Sequence, residues 1–136
     1  MTPHRSLSRR TASALVIALS AALAAGCSGG SGGAAGPVDA PKAREALKTA
    51  LDGWKKGDKP ASFATASPAM TVQDVDWLAG AKLVNYEVKG EGKEFGPNLN
   101  IPVDLTIRTP QGKESKKSVS YVVGTSPIVT VFRALH

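Results

Sequence analysis

The spacing of apolar positions changes three times along the chain, and each change marks a boundary. Ala12–Ala25 is an unbroken run of small and apolar residues, in which Leu15, Val16, Ile17, Leu19 and Leu23 supply the hydrophobicity. As a helix this run would span only ~21 Å, short of the ~30 Å hydrocarbon core of a bilayer. Arg5, Arg9 and Arg10 precede it. The layout over residues 1–26 therefore predicts an export signal and not a membrane span. Residues 27–37 are almost entirely Gly, Ser and Ala, which have no side chains to bury. They predict a flexible tether, whose nine-residue Ser28–Gly36 stretch reaches ~15–18 Å root-mean-square.

A helical period follows. Ala43, Ala46, Leu47, Ala50, Leu51 and Trp54 fall on one face at i, i+3, i+4, i+7, i+8 and i+11, with charged residues between them. Asp39 and Pro41 suit the helix start, Lys55-Lys56 its last turn and Gly57 its stop. Lys59–Thr65 predicts a short second helix with Phe63 inward, broken at Ser67-Pro68, and Met70–Val72 predicts a strand start. From Lys82 the period becomes two. Val84, Tyr86 and Val88 share one predicted face. Leu99, Ile101, Val103, Leu105 and Ile107 make the clearest strand, with Pro102 marking an edge or bulge. A turn at Pro110–Lys113 leads to the alternation Ser115, Lys117, Val119, Tyr121, Val123, and Ile128–Arg133 predicts a last strand. The expectation is an α+β fold in one domain over 38–136: a long N-terminal helix packed on a curved antiparallel sheet of about four to five strands.

This order of elements resembles the NTF2-like/cystatin-like α+β group. The segments that carry the likeness are Ala43–Trp54, Asp76-Trp77-x-x-Gly80 leading into Leu83–Val88, and the final hairpin Tyr121-Val122-Val123 with Val131-Phe132-Arg133. The resemblance implies a pocket between helix and sheet. In some members that pocket is catalytic and uses Asp, His, Tyr or Arg; in many it serves binding or dimerisation. Fold alone does not choose between them.

Leu23-Ala24-Ala25-Gly26-Cys27 resembles the lipobox of bacterial lipoproteins, although the pattern prefers Leu where Ala24 stands. The resemblance implies lipidation at Cys27, with diacylglyceryl and palmitate-type chains, and a mature chain starting there. Several acyl chains on one residue anchor stably, at about 0.8 kcal/mol per buried CH₂. Ser28 after the cysteine implies the outer membrane or cell surface over the inner membrane. Ordinary secretion with an incidental Cys27 is the alternative, and Arg9-Arg10 leaves twin-arginine export open beside general secretion.

Charge adds little. The formal charge is +6, but the signal holds three of the arginines and no acid. Past it stand 14 Lys and Arg against 11 Asp and Glu, with no basic run interleaved with aromatics, so nucleic acid is not an expected partner. Cys27 is the sole cysteine, which leaves no disulfide and no Cys-based metal site. The histidines are His4, within the signal, and His136, at the last position and expected to fray, so no Ser–His arrangement is expected inside the domain. No cofactor is implied.

The remaining candidates are aromatic and acidic. Trp54, Phe63, Trp77, Tyr86 and Tyr121 would line a pocket, with Asp74, Asp76 and Arg133 as its polar residues. On a strand, Asp74 and Asp76 would point to the same face, as an acid–base pair requires. Two carboxylates without a third ligand make a poor metal site, and capping a turn is the competing role. The expected function is a membrane-anchored exported lipoprotein with a small binding or interaction domain, whose partner is the membrane through its lipid and a second copy or an envelope protein through its domain. An enzyme pairing Asp74 or Asp76 with Tyr86 or Arg133, and a purely structural envelope protein, are the alternatives.

Overall fold

Helix α1 (Ala40–Lys56) forms where the 3.6-residue repeat runs longest, and its ends are capped as the sequence requires. Asp39 Oδ1 accepts the Lys42 N–H at 3.0 Å. Gly57 closes the helix in the left-handed region at φ 95°, where a side chain would be strained. The structure, a computed structural model, describes residues 36–135. The expected signal, Cys27, nearly all of the tether and His136 lie outside the described residues.

A 3₁₀ segment, Pro60–Thr65, buries Phe63 against α1. Gly53 makes this approach possible: a Cβ there would lie 2.5 Å from Phe63 Cζ. Then come β1 (Met70–Gln73), the single-turn helix α2 (Val75–Leu78), β2 (Lys82–Val88), β3 (Lys93–Phe95), β4 (Asn98–Arg108), β5 (Glu114–Gly124) and β6 (Val129–Arg133). The sheet order is β1-β6-β5-β4-β2, with β3 also on β4. The fold is α+β with a curled sheet.

Two features differ from the sequence expectation. The sheet has six strands and is mixed, because β1 runs parallel to β6, pairing Met70 with Val129 and Val72 with Val131. A parallel pair needs a long crossover, and here the whole of β2–β5 supplies it. The face predicted for β2 is also out of phase at one residue. The register shifts between Leu83, opposite Ile107, and Asn85, opposite Thr106, so Val84 is the bulged residue. Leu83 and Tyr86 then lie opposite the inward Ile107 and Leu105, while Val84 is exposed.

Pro102 fits its place. Its carbonyl accepts the Lys89 N–H at 2.8 Å just past the end of β2, so its missing donor faces the gap between the β2 and β3 pairings. The inward row of β4 (Leu99 to Ile107) and Val119, Tyr121 and Val123 of β5 form one cluster with the apolar face of α1. At the other end of α1, the Asp39 N–H donates to Thr125 Oγ1 at 2.9 Å. The end from which residues 1–35 lead away is thus fixed beside the β5–β6 turn.

Candidate functional site

Two clusters of sequence-selected residues meet at the C-terminal end of α1. The first is charged. On β1, Met70 and Val72 point inward, and Asp74 continues that face. On the neighbouring β6, Val129 and Val131 point inward, and Arg133 continues theirs. Two apolar rows therefore end in opposite charges. Arg133 Nη1 donates to Asp74 Oδ1 and Oδ2 at 3.3 and 3.2 Å and to Asp76 Oδ2 at 2.6 Å. Tyr121, paired with Arg133 across β5 and β6, donates its hydroxyl to Asp74 Oδ2 at 2.6 Å. Lys117 Nζ donates to Asp76 Oδ1 at 2.7 Å.

Asp74 and Asp76 are not strand neighbours on one face. Asp74 is the N-cap of α2, and its Oδ1 accepts the N–H groups of Asp76 and Trp77 at 2.8 and 3.0 Å. The capping role weighed for this pair is the one Asp74 fills, because the strand ends there and a helix must start. Asp74 is 1% exposed and all its acceptor capacity is engaged. Every buried side-chain polar atom among the described residues has a partner. Burial alone would raise the Asp76 carboxyl, but hydrogen bonds and charge from Lys117 and Arg133 hold it below its ordinary 3.8. Burial, then the Asp74 carboxylate, pushes the Tyr121 phenol well above its usual range. Chemically this is a clamp: it ties α2, β5 and β6 into one ionic unit.

The second cluster is aromatic. Trp54 and Trp77 stack with centroids 5.1 Å apart at 5° between planes, and Phe63 meets Trp77 edge-on at 5.8 Å and 78°. Both indoles are anchored: Trp54 Nε1 donates to the Ala81 carbonyl at 2.8 Å, and Trp77 Nε1 to that of Asp58 at 2.9 Å. The stack is largely buried, but its edges form one wall of an open cleft of about 510 Å³. Pro60, Ala61, Leu78 and Ala81 add to its apolar lining, and Asp58, Lys59 and Lys82 are its charged residues.

The structure thus brings together Trp54, Phe63 and Trp77, and separately Asp74, Asp76, Tyr121 and Arg133. Tyr86 joins neither group; its hydroxyl donates to Asp52 Oδ1 of α1 at 2.6 Å. Burial, reinforced by that carboxylate, raises its phenol above the usual range. Sequence reasoning did not single out Leu78, Lys59 or Lys82. Their only signal is an apolar residue and two lysines at the ends of elements, and which ends coincide depends on the topology.

Among the described residues no group of three or more His, Cys, Asp or Glu could hold a metal ion, and no helix is long and apolar enough to cross a membrane. No family model, curated protein or solved structure matches the chain.

Proposed function

We propose that this chain is an exported lipoprotein, anchored through Cys27, whose domain is a binding module of the NTF2-like/cystatin-like kind. The observation that carries the anchor is the position of the sole cysteine, directly after Ala24-Ala25-Gly26 at the close of a 14-residue apolar run. The helix held by a curled sheet supports the fold reading. The cleft beside Trp54 and Trp77 supports binding, since pockets are lined mainly by apolar and aromatic side chains with a few polar groups. The acids that the enzyme alternative would use are engaged by internal partners, Asp74 by Tyr121 and Arg133 and Asp76 by Arg133 and Lys117, which favours the binding reading.

Fractionation of cells expressing the full chain tests the anchor. The wild-type chain is expected in the membrane fraction, with an acyl mass increment on its N-terminal peptide. Cys27→Ser is expected in the aqueous fraction without that increment. A Cys27→Ser chain that still sediments with membranes sinks the lipoprotein reading.

A further inference from the structure

The charges of the domain are sorted by end. The C-terminal end of α1, the 3₁₀ segment, α2, the start of β2, the β4–β5 hairpin and the end of β6 share one pole. Residues 53–62, 73–84, 106–119 and 132–135 make up this pole and carry nine basic against four acidic side chains. The rest of the described chain carries five against seven. Lys55, Lys56, Lys59, Lys82, Lys113 and Lys116 all belong to the basic pole and are exposed. None of them pairs with a carboxylate among the described residues. The surface is continuous across its elements: a Cβ on Gly80 would lie 3.5 Å from Pro110 Cγ of the β4–β5 turn. The apolar cleft opens within this pole, between Lys59 and Lys82, and Leu78 at its edge is 64% exposed.

Unpaired like charges held together repel one another, and a partner of opposite sign relieves that repulsion. The lysines are spread over several elements, more than one small anion can span. The cleft they frame is apolar, and a partner made only of charge would leave it unfilled. We propose that the basic pole is a docking surface for an acidic polypeptide segment of a partner protein, which seats an apolar or aromatic side chain in the cleft. This deepens the binding-module reading and rests on it, but not on the anchor.

The test uses the full chain in detergent and three probes: a random glutamate–tyrosine copolymer, polyglutamate and dextran sulfate. In 20–50 mM salt the copolymer is expected to bind at least about tenfold more tightly than either of the others, with its affinity falling steeply as salt rises. Lys59→Glu/Lys82→Glu should weaken the copolymer at least about tenfold, while Lys42→Glu/Lys93→Glu on the opposite pole should change it less than about twofold. Leu78→Ser should reduce the preference for the copolymer over polyglutamate. Near-ultraviolet circular dichroism of the stacked tryptophans checks that each variant is folded. Three results would overturn the proposal: no copolymer binding at low salt, equal loss from both charge reversals, or dextran sulfate binding as tightly as the copolymer. The last would mark a charge-only site for an anionic polysaccharide. Cys27→Ser is expected to leave copolymer binding unchanged, so failure of the anchor and failure of the docking surface read out separately.

Discussion

The charged clamp and the aromatic stack share α2, which gives Asp74 at its cap to one and Trp77 to the other. They hold the same turn by different physics. The stack gains from area and contact, and loses in proportion to what is removed. The clamp gains little net energy, because its charges were better solvated in water, but each member makes the others tolerable. The stack should therefore degrade gradually, and the clamp should fail when any one member is lost.

The sharpest break comes from Asp74→Ala. It takes from Arg133 one of its two carboxylate partners, leaves the buried Tyr121 hydroxyl without its acceptor and removes the cap of α2, so a loss of about 3–5 kcal/mol in urea unfolding is expected. Asp74→Leu combined with Arg133→Met should recover part of that loss, the lost cap and the unpaired Tyr121 hydroxyl accounting for the remainder. A double variant as unstable as the single one would show that the clamp is not an interdependent unit. Trp54→Phe keeps a ring in the stack but strands the Ala81 carbonyl, and should cost about 1–3 kcal/mol. A larger loss than that of Asp74→Ala would reverse the comparison.

Titration separates the clusters without mutation. Asp76 has a folded pKa below its unfolded value of 3.8. Its contribution is present above that value and is lost as pH falls through the folded pKa. Thermal unfolding should therefore become easier in acid below pH ~4, and Asp76→Asn should flatten that dependence. Tyr121 and Tyr86 titrate higher when folded than their ordinary 10.0. Their contribution is complete below pH ~10 and is lost as pH rises beyond it, which Tyr121→Phe should blunt. The smallest effect belongs to Tyr86→Phe, about 0.5–1.5 kcal/mol, because its bond to Asp52 lies apart from both clusters.

Local periodicity made much of the fold legible. α1 declares itself through Ala43 to Trp54, and β4 through Leu99 to Ile107, since each repeats one spacing for several turns or pleats. What escaped depends on pairing. The β1–β6 contact joins residues about sixty positions apart, and neither strand carries a mark of the other. The bulge at Val84 disguised itself as clean alternation with Tyr86 and Val88. Arg133 stood out by its chemistry, but only the parallel register sets it on Asp74. Lys55, Lys59, Lys82 and Lys113 look scattered in sequence, and only the topology gathers them at one end.

The parallel pairing of β1 with β6 also sets an order of events during synthesis. Met70–Gln73 can find their neighbour only after Val129–Arg133 have been made, so a nascent chain carries an open strand edge and an Asp74 without Arg133 until β6 emerges. Long-range closure of this kind is slow. Until β6 is made the β1 edge stays unpaired, and under the export proposed above a route that passes unfolded polypeptide would use that open state.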